Sequence, residues 1–303
     1  MKIYLTFVLL FTAVCVNGQQ ARLTLRLKKD SVYYLNTNVA MTTNQYFPGK
    51  KTMAGVQISS LSSHKVTDVL DTAYRLEVQF ERLSVKINID GLILNEMPDM
   101  SGTLTELASL MKHKVFHIVV SRYGSLMAVE DADKLFNSSF DSVSNLSDQK
   151  KLQLLTAVRS LFDKRVIRNT YFDAFTLVPK DAVDLNYSWT VNQNLESSVR
   201  ATMDTKYFLS AVNNNVCVIT GEGTLRAGPS PDYRSSNGLM MRMIDVGGTI
   251  KKKIVINSNT GWPVNISVVR NLKATGDIKD CPQFPGGLKF PVEMLFNISS
   301  STR

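Results

Sequence analysis

The sequence predicts a β-rich α+β fold: a long curved antiparallel sheet, half-barrel or barrel-like, with two or three helices in the middle of the chain. Three observations carry this. Apolar and polar residues alternate over long runs, as half-buried strands require. Helix-spaced apolar stripes are confined to the middle of the chain. The strand patterns lie on both sides of those stripes and are not interleaved with helices one for one, which favours an antiparallel over a doubly wound arrangement.

The chain opens on Lys2 and an apolar run from Ile3 to Val16. That is the charged start and short apolar stretch of a secretory signal peptide, predicted over residues 1–18. Val16-Asn17-Gly18 places the cut between Gly18 and Gln19. Cys15 is the competing lipid-attachment point, but lipidation needs a small residue before the cysteine and Val14 stands there. Cys15 is therefore expected to leave with the leader. Residues 19–303 are expected to form a single β-rich domain. Its two strand-rich halves, about 19–130 and 180–303, are joined by a helical segment over 131–179. No later apolar run approaches the 20 or so residues of a membrane-crossing helix.

"RLTLRLKK" alternates through Leu23, Leu25 and Leu27 and reads as a first strand. In "YRLEVQFERLSVKINID" the alternation runs through Val78 and Phe80, then resumes through Leu83 and Val85 with its phase flipped at Glu81-Arg82. One extra residue that restores the apolar face is the signature of a β-bulge in one long bent strand. "TLTELASLMKH" predicts a helix, with Thr103 and Glu106 spaced as a capping box. A hairpin turns at Tyr123-Gly124, and a short helix is expected from Asp131. "SDQKKLQLLTAVRSLFDK" carries a helical stripe through Leu152, Leu155 and Val158.

Strand patterns resume over Val183–Val191, Val199–Val212, Val216–Leu225, Leu239–Val246 and Thr249–Ile256, and Gly247-Gly248 reads as a turn or bulge. Ser258 to Gly261 turns another hairpin, and Leu288 to Ile298 alternates as the last strand. Residues 226–238 and 274–287 read as loops. Long one-sided strands suit a curved sheet that covers something on its inner face.

The formal net charge is +9, spread out except for Lys251-Lys252-Lys253. Such a surface attracts acidic polymers or lipid headgroups, with an ordinary solvated face as the plain alternative. An exported chain without a nucleic-acid motif excludes nucleic acid as the partner. Two cysteines outlast the leader, Cys217 and Cys281, and are the candidate disulfide pair in an oxidising compartment. A bridge across so long a loop would stabilise by about 4 kcal/mol on the chain-entropy model. Burial of Cys217 as a free thiol in the apolar run Val216–Ile219 is the alternative.

Catalytic and metal motifs are sparse. His113 and His117, four apart, could share a face, and Glu130, Asp131 and Asp133 could complete a site only by tertiary accident, but two histidines do not make a zinc site. Asp131 and Asp133 read as helix initiation. His64 has no metal-ligand spacing to either of the other histidines. Trp189 and Trp262 could stack a ligand, although half-buried strand aromatics are usually core. There is no nucleophile elbow, P-loop or dinucleotide fingerprint. No catalytic residue, cofactor or metal is therefore assigned.

Three stretches together, "VFHIVVSRYGSLMAVEDADKLF", "VDLNYSW" and "NTGWPVNIS", following the strand-rich "LRLKKDSVYYLNTNV", resemble domain of unknown function 6263. The resemblance implies secreted or lipid-anchored envelope proteins, mostly of Bacteroidota, and supplies no activity, cofactor or site residue. It implies an exported protein that is periplasmic, outer-membrane-associated or secreted.

The functional expectation is a non-enzymatic envelope protein. It would bind an apolar or amphiphilic ligand, a lipid or a lipoprotein-like amphiphile, on the concave sheet face. A filled interior would leave a structural or protein–protein role with another envelope protein. An envelope-polymer hydrolase is the third reading. A deep apolar groove between sheet and helices would favour the binder.

Overall fold

The computed structural model describes residues 20–90, 101–141, 164–196, 200–228, 232–236 and 239–302. Twelve strands form one antiparallel sheet. The first wing is a meander of β1 (Val32–Phe47), β2 (Lys50–Val69), β3 (Ala73–Asp90), β4 (Val115–Ser121) and β5 (Leu126–Glu130). Helix α1 (Ser101–Met111) lies between β3 and β4; α2 (Ala132–Asp141) and α3 (Lys164–Ala174) follow β5. The second wing holds β6 (Ser188–Glu196), β7 (Arg200–Asn213), β8 (Val216–Ala227), β9 (Arg234–Ser236), β10 (Leu239–Asn257), β11 (Pro263–Ile278) and β12 (Leu288–Ser301).

The spatial order is β5-β4-β3-β2-β1-β12-β11-β10-β8-β7-β6, with β9 added to β10. The wings meet where β1 pairs β12, from Asn36 opposite Ser301 to Gln45 opposite Val292. The sheet is open, with β5 and β6 at its edges. Eleven strands spaced about 4.8 Å apart would span roughly 50 Å if flat. Yet α3 contacts β5, β6 and the central β11. A helix about 10 Å across can reach both edges only if the sheet wraps around it.

The expected bulge in β3 is present. Leu61 pairs Arg82 while Ser62 pairs Phe80, so Glu81 is the extra residue. Val78 and Val85 consequently share the inner face and are both buried. The runs read as separate strands over Leu239–Val246 and Thr249–Ile256 are one strand, β10. Two residues, Asp245 and Val246, oppose one at the shift between Ile244 and Gly247, and Asp245 has φ 53. The alternation broke there because the bulge consumes a residue without ending the ladder.

"RLTLRLKK" is corrected. It is an extended segment with a single bridge, Ala21 to Val183, and no ladder. Leu23, Leu25 and Leu27 are buried all the same. Leu25 N–H donates to Arg122 O at 2.8 Å, and Arg26 N–H to Thr260 O at 2.7 Å. The segment thus crosses from the β4–β5 turn to the β10–β11 turn, and its leucines fill the mouth of the open sheet. Alternation records which side chains are buried; it does not record a strand partner. Gly261 sits beneath this crossing with φ +69, and a Cβ there would meet Thr24 O at 2.3 Å.

Other boundaries shift. Thr103 lies within α1, so it does not cap the start of that helix. Val183 stands apart from β6, which starts at Ser188. The 274–287 loop gives up its first five residues to β11, and the 226–238 loop contains β9. The helix read from Ser147 falls almost wholly outside the described residues.

Candidate functional site

The inner face of the sheet and α3 enclose an apolar groove of about 130 Å³. Strand alternation builds its floor: Leu35 and Thr37 of β1, Ile58, Ser62 and His64 of β2, and Ile298 of β12 all point to the same side. Phe80 and Phe116 form one wall, with ring centroids 5.8 Å apart. The other wall is α3, where Ile167, Tyr171 and Ala174 recur at helical spacing and face the sheet. A larger depression of about 350 Å³ lies on the outer face, lined by such residues as Asn38, Gln57, Ser59 and Asn297. It is open and lined mainly by Asn, Gln and Ser, so the inner groove is the better site for an apolar ligand.

Two polar features border the groove. The first is His64, fully buried, whose Nε2 lies 2.8 Å from the Tyr171 hydroxyl. Burial lowers the His64 pKa to about 4 and pushes the Tyr171 phenol up, so both are neutral at neutral pH. Trp262 packs behind them, 4.7 Å from the Tyr33 ring and 5.3 Å from the His64 ring.

The second is a buried charge cluster on α3, β10 and β11. Arg270 Nη2 donates to both Asp173 oxygens, at 2.9 and 3.1 Å. Lys252 Nζ lies 2.9 Å from Asp173 Oδ1 and 3.5 Å from Phe172 O. All three side chains are at most 6% exposed. Burial by itself would raise the Asp173 carboxyl, but Arg270 and Lys252 together hold it below the ordinary range. Burial would likewise lower Lys252, but Asp173 and Tyr207 together raise it, and the amine stays charged.

Neither feature was singled out by sequence motifs, although a signal was present. Lys252 falls in period-two register with Ile250, Ile254 and Ile256, and Arg270 with Ile266, Val268 and Leu272. A cation in an inward register position is a buried cation. Lys251-Lys252-Lys253 is therefore not one surface cluster: Lys251 and Lys253 face out and Lys252 faces in.

The other sequence candidates are dispersed. His113 sits in the turn after α1, not on a strand, with φ 61 and its Nδ1 2.9 Å from Gln79 Nε2. His117, on β4, lies 3.5 Å from Asp131. Glu130 pairs with Arg75 at 2.6 Å, and Asp131 accepts from Lys134 at 2.7 Å, at the start of α2. The Lys134 ammonium lowers the Asp131 carboxyl. Asp133 lies in the first turn of α2 and is exposed. Trp262 is core, and Trp189 stacks at 5.6 Å on Tyr207 while donating to Leu177 O at 2.8 Å.

The Cys217–Cys281 bridge is corrected, since both cysteines are free. Cys217 pairs Ile256 near one end of β10, whereas Cys281 follows Ile278, which pairs Met241 near the other end. The intervening strand spans on the order of 50 Å at about 3.3 Å per residue. A disulfide needs Cα atoms within about 7 Å.

Family membership follows from residues 71–263, which match the model of a family of unknown function, DUF6263. The chain belongs to DUF6263. The matched DUF6263 region includes Tyr171, Asp173 and Lys252 but neither His64 nor Arg270. No curated protein matches the chain. Among the solved structures that resemble it distantly are these two. One, described as lipid-protein interactions in lipovitellin, has a TM-score of 0.48 at 8% identity over 92% of this chain. This chain spans 25% of that one's length. The other, an outer membrane channel from Pseudomonas putida F1, has a TM-score of 0.24 at 9% identity and covers 92% of this chain and 98% of its own. Neither likeness is close enough to bear on function. Among the described residues, no helix is long and apolar enough to cross a membrane.

Proposed function

We propose that this DUF6263 protein is an exported, non-enzymatic envelope protein that binds an apolar or amphiphilic ligand between its curved sheet and α3. The observation that carries the reading is the groove itself. Most of the inner face is packed solid, yet beside α3 an apolar space of about 130 Å³ stays open. Native cores close such gaps, because each void forfeits dispersion contacts. A space of this size holds one end of a ligand, such as a ring or the last methylenes of an acyl chain. The leader read in residues 1–18 supports export.

Native mass spectrometry of the protein purified from its own envelope fraction tests the reading. A reproducible added mass that leaves on organic extraction supports it. A Thr37→Trp variant fills the groove and should lose both that mass and the binding of a fluorescent fatty acyl probe. A wild-type protein that carries no extra mass and binds no such probe overturns the reading.

A further inference from the structure

The charge cluster bordering the groove does not balance. Lys252 and Arg270 bring two positive charges and Asp173 one negative, and among the described residues neither cation makes another ion pair. Among the described residues, a net positive charge is thus left in the interior. Burying an uncompensated charge is far more costly than burying a neutral pair, so such an arrangement calls for a counter-ion.

The hydrogen-bond inventory points to the same place. Arg270 Nε is buried with no partner among the described residues, although Arg270 is only 5% exposed. The hydroxyls of Tyr207 and Thr205 are also unpartnered, and both residues are fully buried. The ladder puts Tyr207 two strands from Lys252 and Thr205 three strands from Arg270. Lys252 pairs Gly221, which pairs Tyr207; Ile250 pairs both Gly223 and Arg270, and Gly223 pairs Thr205. Because β8 offers glycines here, side chains from β7 lean over it. The Tyr207 ring comes within 2.7 Å of where a Gly221 Cβ would stand, and Thr205 Oγ1 within 2.8 Å of the same point on Gly223. Among the described residues, three donors without partners and an unneutralised cation therefore lie on neighbouring strands of the inner face, and Asp173, which holds both cations, lines the groove.

We infer that the Lys252–Arg270–Asp173 cluster is the head-group site of the groove and that its ligand is a single-chain amphiphile ending in a carboxylate. The proposal rests on the groove reading above and adds the ligand's chemistry to it. One carboxylate supplies the single negative charge that is missing. It accepts from Arg270 Nε, and its chain runs along the apolar floor. A phosphate monoester carries about −1.5 to −2 and would leave the cluster negative.

Delipidated full-length mature protein is titrated with dodecanoate, and with dodecanol as its uncharged counterpart, by displacement of an apolar fluorescent probe. Acetate and inorganic phosphate serve as charge without chain. The proposal expects dodecanoate to bind at least tenfold tighter than dodecanol, with inorganic phosphate no better a competitor than acetate. Equal affinities for acid and alcohol overturn the anion site while leaving the groove reading standing. Displacement by inorganic phosphate at concentrations where acetate fails also overturns it, in favour of a phosphate site. Failure of both chains to bind overturns the groove reading and this one with it. Arg270→Lys keeps the charge but removes Nε, and should narrow the preference for acid over alcohol. The wild-type comparison decides the matter even if that variant folds poorly.

Discussion

His64 should make the protein acid-sensitive well above the pH at which its carboxylates titrate. The imidazole is fully buried against Tyr171 and Trp262, and its pKa falls from 6.5 to about 4. A lowered native pKa means that the unfolded chain binds more protons between those values, so stability falls as pH falls through 6.5 and levels off near 4. Between pH 7 and pH 5 the unfolded imidazole takes up most of one proton and the native one very little. At about 1.4 kcal/mol per pH unit, that costs about 2 kcal/mol. Asp173 contributes outside this window, because its carboxyl is held below the ordinary range and gives up its share only at lower pH.

Urea unfolding of the wild type and of His64→Gln at both pH values isolates the effect. Gln keeps a hydrogen-bonding partner for the Tyr171 hydroxyl and does not titrate. With a slope of about 3 kcal/mol per molar urea, the wild-type midpoint should fall by about 0.7 M more than that of the variant. Parallel losses in the two proteins would refute the assignment of acid sensitivity to His64.

Asp173→Asn strands two buried cations and should cost about 3–5 kcal/mol, measured by urea unfolding at neutral pH. Gly261→Ala should cost more than Gly49→Ala in the same assay. Both glycines have positive φ, but only at Gly261 does the added carbon meet backbone, whereas Gly49 has nothing within 4 Å. Thiol titration of the mature chain in denaturant without reductant should find two thiols. In the native protein Cys281 should react well before Cys217, which is 1% exposed and whose thiol burial pushes up. Intact-mass analysis of exported protein should find a chain beginning at Gln19, and a lipid-bearing Cys15 would contradict the predicted leader.

The alternation of Leu76, Val78, Leu83 and Val85 was enough to place β3, its inner face and its bulge, because a strand's faces follow from local spacing alone. The hairpins at Gly124 and Gly261 were equally local, since each needs a left-handed residue at the turn. The inward register of Lys252 and Arg270 was written in the same alternation, so two of the three charges were legible as buried. What spacing cannot say is which strands are neighbours. That β1 pairs β12, that the leucines of 21–27 span two distant turns without a ladder, and that Cys217 and Cys281 lie far apart all depend on contacts between residues remote in sequence. The groove depends on such contacts too. Tyr171 and Asp173 acquire their roles only because the sheet curls far enough for α3 to meet His64 of β2, Lys252 of β10 and Arg270 of β11 at once. Local pattern decides which way a side chain points, and closure of the sheet decides what it meets.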